Sequence, residues 1–127
     1  MDEKTFKART KKLTVAIIKL TENLPQSRAA DVIARQIIRS GTSIGANYRA
    51  ASRAKSTADM INKLKIVEEE ADETEYWLEL LVETGHLSHE QISNIHKETD
   101  EILAMTVASI KTLRNRKSQS SIKNPKS

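Results

Sequence analysis

The sequence predicts an all-α fold: an antiparallel, up-down-up-down four-helix bundle. Three observations carry this. Apolar residues recur at a spacing near 3.6 through four long segments. Only two prolines and three glycines interrupt 127 residues. Four aromatics in the whole chain are too few for a β-rich core.

Each helix is legible from its stripe and its punctuation. Phe6, Leu13, Ala16, Ile17, Leu20 and Leu24 form the first stripe, and Pro25 stops it. Ser27 caps a second helix whose inner face reads Ala30, Ile33, Ala34, Ile37, Gly41, Ile44, Gly45 and Tyr48. Ser56, with Asp59 three residues on, is a capping-box pattern that opens a third helix. Its core face is Met60, Leu64, Val67, Ala71, Thr74, Leu78 and Leu81, and it ends at Gly85. Ser88 with Gln91 is a second capping box, opening a fourth helix through Ile92, Ile95, Thr99, Ile102, Thr106, Ile110 and Leu113. Helices two to four come out at about 28 residues, or about 42 Å each. Matched lengths with short connections are what an up-down bundle requires. The joint between helices two and three holds neither Gly nor Pro, so a single continuous helix is its alternative. The chain divides into a bundle domain, 1–113, and a basic flexible tail, 114–127, whose RNRKSQSSIKNPKS lacks a periodic apolar face.

Composition narrows the classes further. The chain has no cysteine, which removes disulfides and thiolate metal sites. No apolar run reaches the roughly 20 residues of a membrane span. The N-terminus MDEKTFKARTKK has no signal-peptide core, so a cytoplasmic location is expected. The net charge of +4 conceals segregation. Residues 1–67 carry 14 Lys/Arg against 5 Asp/Glu, residues 68–101 carry 1 against 12, and residues 102–127 carry 6 against none. Such asymmetry suits either complementary packing between segments or a basic surface for an acidic partner, although solvated faces alone also produce it.

The stretch RSGTSIGANYRAASRAK raises its own question. Gly41 and Gly45 fall on the core side of helix two, each costing about 1 kcal/mol relative to alanine. Thirteen of the nineteen residues from Ser40 to Ala58 are Gly, Ala, Ser or Thr. A small-residue face lets a neighbouring helix approach closely or leaves room for a bulky side chain such as Trp77. A bend in a long helix is the other reading.

These residues carry a resemblance. Arg39-Ser-Gly-Thr-Ser-Ile-Gly-Ala-Asn47, followed by KLKIVEEEADETEYWLELL over 63–81 and then Gly85, resembles the bacterial four-helix-bundle family of 23S ribosomal RNA intervening-sequence proteins. The likeness spans roughly residues 10–113. Relatives include the accessory protein of diversity-generating retroelements, which works with a reverse transcriptase and nucleic acid. The resemblance implies a homopentamer of up-down subunits, with RNA or DNA and a reverse transcriptase as possible partners. The chain departs from many relatives at Ala50-Ala51 and at Glu69-Glu70.

Catalytic and metal constellations are not visible in the sequence. A di-iron bundle needs two Glu-x-x-His pairs facing one interior. Glu83-x-x-His86 is the single such spacing, and Gly85 ends the helix inside it. His89 and His96 lie seven residues apart, about 10.5 Å along a helix, too far to chelate one ion without outside ligands. The acidic run Glu68, Glu69, Glu70, Asp72 and Glu73 points in several directions and reads mostly as an exposed face. No cofactor, metal or enzyme activity is therefore expected.

What remains is surface. Arg28, Arg35, Arg39, Arg49 and Arg53 fall within an arc of about 80° on helix two, opposite its isoleucines, a track suited to phosphate backbones. Ile66, Trp77 and Leu80 on helix three, and Val15 and Ile18 on helix one, lie off the core stripes and are expected to bury between subunits. For Trp77, folding over the edge of its own bundle is the alternative. The expected function is a non-enzymatic oligomeric adaptor that binds nucleic acid. The alternative is a purely structural homo-oligomer, in which the arginines pair with the acidic third helix of a neighbouring subunit.

Overall fold

The computed structural model describes residues 2–123, which form four helices and no strands. They are α1 (Glu3–Thr21), α2 (Arg28–Ser52), α3 (Thr57–Glu83) and α4 (His89–Lys123).

Local chemistry sets their boundaries. Asp2, Ser27 and Ser56 each accept a hydrogen bond from a backbone N–H three residues on, at Thr5, Ala30 and Asp59. Ser88 and Gln91 form the reciprocal box: Gln91 N–H donates to Ser88 Oγ at 3.1 Å, and Ser88 N–H to Gln91 Oε1 at 2.9 Å. Gly85 takes φ 78, which lets His86 and Leu87 N–H both donate to Leu81 O and close the end of α3. The joint after α2 is a true break, with Arg53 as C-cap and Ser56 restarting the chain.

Two boundaries differ from the sequence reading. Helix α1 stops at Thr21, so Leu24 lies beyond it yet still packs on the core. Helix α4 continues past Leu113 to Lys123, without needing the apolar stripe. Residues 124–127 of the proposed tail lie outside the described residues.

The core draws on all four helices. Phe6, Leu13, Ile17 and Leu20 from α1 meet Ile33, Ile37 and Ile44 from α2, Val67, Leu78 and Leu81 from α3, and Ile92 and Ile102 from α4. Helix α2 packs on α1 and α3, and α4 on α3 and, more sparsely, on α1. A second cluster of Ala51, Ile61, Leu64 and Ile110 closes the end where α2 turns into α3.

The small-residue face of α2 now has a definite neighbour. A Cβ at Gly41 would stand 2.8 Å from Ile17 Cδ1, so α1 comes in tightly there. At Gly45 the nearest atom is Thr10 Oγ1 at 3.5 Å, an ordinary contact. Trp77 is not the residue that uses the space. Hydroxyls seal the same seams: Thr14 Oγ1 donates to Gly41 O across α1–α2 at 3.0 Å. Thr74 Oγ1 meets Ser40 Oγ across α2–α3 at 2.9 Å, and each hydroxyl also reaches a carbonyl of its own helix. Thr10 and Ser40 are buried although neither sat on an apolar stripe.

Candidate nucleic-acid interface

Helix α2 delivers the arginines because 3.6 residues per turn places them together once its isoleucines face inward. Arg28, Arg35, Arg49 and Arg53 are exposed and, among the described residues, form no ion pair. Arg28 to Arg49 covers about 31 Å of axis. Arg53 is the C-cap, just past the helix.

Arg39 behaves differently. Its guanidinium reaches Glu70 Oε2 at 3.1 Å and also pairs with Glu73, both on α3 of the same chain. Trp77 Nε1 donates to the same Glu73 at 3.1 Å, fixing that carboxylate between cation and indole. The acidic run is thus not simply a solvated face: Glu70 and Glu73 turn toward α2, while Glu69 and Asp72 remain exposed. An acidic helix does receive an arginine of the stripe, and it is the chain's own.

The structure adds cations that helix two alone could not reveal. A groove between α1 and α2 is lined by Lys7, Lys11, Arg49, Thr14 and Thr42, with Gly45 at its floor. Lys7 is shared with Glu3, 3.6 Å away one turn earlier. The spacing of Lys7 and Lys11, four apart on one side of α1, was the available signal; their proximity to Arg49 depends on how α1 docks.

The expected interface residues divide. Val15, Ile18 and Ile66 are exposed, at 44%, 38% and 37%. Trp77 and Leu80 are partly buried and pack against the core of their own chain. Val15 and Ile18 on α1 and Ile66 on α3 stand on helices that do not pack on each other.

On the far side of the chain, Arg9 ties α1 to α4. Its Nε donates to Glu98 Oε2 at 2.9 Å, and Nη2 to Glu101 Oε2 at 2.9 Å. The hydrogen bond from Arg9 holds the Glu98 carboxyl below its usual range.

No helix among the described residues is long and apolar enough to cross a membrane. A family model described as 23S rRNA-intervening sequence protein matches residues 4–108. Among solved structures, the chain is similar to a protein of unknown function from the S23 ribosomal protein family of Bacteroides thetaiotaomicron VPI-5482. The two share 44% identity and a TM-score of 0.78, over 84% of this chain and 98% of that one. No curated protein matches the chain.

Proposed function

Since this chain belongs to the 23S rRNA-intervening sequence protein family, we propose that it is a non-enzymatic, cytoplasmic adaptor. In this reading it binds RNA or DNA through the basic face of α1 and α2. One observation carries the reading: Arg28, Arg35 and Arg49 along α2 and Arg53 at its C-cap are exposed without an acidic partner among the described residues. Guanidinium groups so placed match the spacing-tolerant, bidentate demands of a phosphate backbone. No aromatic interleaves them, so the contact is electrostatic and indifferent to sequence. Arg39 takes no part in binding, because Glu70 and Glu73 already occupy it.

The helices run up-down-up-down in this reading, since connections of a few residues return each helix beside the last. Subunits assemble by a head-to-tail contact. Val15 and Ile18 form one patch and Ile66 another, on helices that do not touch. Two different patches make a heterologous interface, which closes into a ring when its rotation returns to the start and otherwise runs on as a filament. A ring would repeat the arginine track around its circumference and raise avidity. A reverse transcriptase remains a candidate partner through the family likeness. A scaffold without nucleic acid is favoured only by the same apolar patches.

The test is fluorescence anisotropy of labelled RNA and DNA across a salt series. Wild-type affinity should fall steeply with salt, because each neutralised phosphate releases condensed counterion. Arg35→Glu with Arg53→Glu should weaken binding at least tenfold, on the order of 1.4 kcal/mol, and leave helicity unchanged. Arg114→Glu with Arg116→Glu measures what the C-terminal cations add. A wild type with no salt-sensitive affinity for either polymer refutes the adaptor and leaves the scaffold.

A further inference from the structure

Away from the basic face, the α3–α4 seam gathers a second set of side chains. Glu75 and Glu79 stand one turn apart on α3, and His96 and Asp100 one turn apart on α4. His96 Nε2 lies 3.1 Å from Glu79 Oε2 and 4.0 Å from Glu75 Oε2. One ligand atom from each of Glu75, Glu79 and His96 falls within 4.8 Å of the other two.

The chain's own groups do not satisfy this cluster. Glu75 is 13% exposed, and its Oε1 is fully buried with no hydrogen-bond partner. Among the described residues no Lys or Arg pairs with Glu75 or Glu79. Nε2 of His96 has at most one proton to share between two carboxylates. A buried acceptor oxygen without a donor costs about 1–3 kcal/mol unless something positive meets it.

We propose that Glu75, Glu79 and His96 bind a divalent transition-metal ion of the Zn²⁺ class. Two ligands about 2.1 Å from one zinc ion stand roughly 3–3.5 Å apart. The His96–Glu79 distance already matches, and Glu75 needs only a small side-chain shift. The ion replaces the proton between His96 and Glu79 and meets Glu75 through Oε2, the oxygen that faces His96. One imidazole among carboxylates selects Zn²⁺ or a neighbouring first-row ion over Mg²⁺ and Ca²⁺, which prefer oxygen ligands throughout. A cleft bordered by Val82, Ile92 and Ser93 reaches Glu79 and His96, so an ion has a way in and an open coordination position. Its two i, i+4 pairs would clamp α3 to α4.

The experiment uses the full chain, stripped with EDTA and titrated with ZnCl₂ by calorimetry at neutral pH, with thermal melts alongside. Wild type should take up one Zn²⁺ per chain and melt several degrees higher; Mg²⁺ should do neither. His96→Ala and Glu79→Gln should each weaken uptake at least about tenfold. Glu79→Gln alters an exposed side chain, so it keeps the test informative if His96→Ala does not fold. Asp72→Asn, an exposed carboxylate elsewhere on α3, and His86→Ala should leave uptake unchanged. Absence of saturable uptake by folded wild type overturns the proposal. So does uptake that survives both His96→Ala and Glu79→Gln, or that is lost with His86→Ala.

Discussion

Replacing Gly41 with alanine tests the closest contact in the fold. The added Cβ would sit 2.8 Å from Ile17 Cδ1 and 3.1 Å from its Cγ2. Ile17 is wholly buried, so it cannot swing into solvent and must leave its rotamer or push α1 outward. Overpacking of this kind costs about 1–3 kcal/mol. Against it stands the gain of about 1 kcal/mol from removing glycine inside a helix. The net expectation is a loss of about 0–2 kcal/mol. Gly45→Ala is the internal control, since its Cβ would meet Thr10 Oγ1 at 3.5 Å without a clash. That variant should gain up to about 1 kcal/mol. The two alanines, four residues apart on one helix, should therefore differ by about 1–3 kcal/mol. Urea melts resolve this, and the Ile17→Val background supplies the decisive comparison. Removing Cδ1 deletes the shorter contact, so Gly41→Ala should cost less there, with a coupling of about 1 kcal/mol in the double-mutant cycle. Equal stability of Gly41→Ala and Gly45→Ala, or a cycle with no coupling, would refute close α1–α2 packing at Gly41.

Other perturbations follow from single interactions. Glu98 has its folded-state carboxyl lowered by Arg9, so its contribution is present above the ordinary value of 4.5 and lost as pH falls through the lowered one. Arg9→Met should thus cost about 1–3 kcal/mol near neutrality and flatten the acid limb of stability below pH 4.5, read from melts across pH. Ser88→Ala removes one half of the box opening α4 and should cost about 1 kcal/mol by denaturant titration. Gly85→Ala meets open space but must hold φ 78, so the loss should be strain alone, about 1–2 kcal/mol. Ile18→Ser with Ile66→Ser should keep the helicity while lowering the mass seen by light scattering; an unchanged mass removes both residues from the subunit contact.

The sequence by itself determined the helices, because what makes and ends a helix acts within about four residues. Ser27, Ser56 and the Ser88–Gln91 box start helices where their spacing said they would, and Gly85 ends one by its freedom to take positive φ. The apolar stripes likewise named most of the core, and the helical repeat alone put Arg28, Arg35, Arg39 and Arg49 on one side of α2, with Arg53 at its C-cap. What only the tertiary structure decided is which helices lie side by side and in what register, a matter of how side-chain volumes fit across a seam. That register commits Arg39 to Glu70 and Glu73 and brings Lys7 and Lys11 beside Arg49. It buries Thr10 and Ser40, whose hydroxyls no apolar pattern marks as core. It also sets His96 against Glu75 and Glu79, residues about twenty apart in the chain that a helical wheel treats as unrelated. Local spacing cannot encode such meetings, because contacts between helices depend on closing the chain between them and filling the space where they touch.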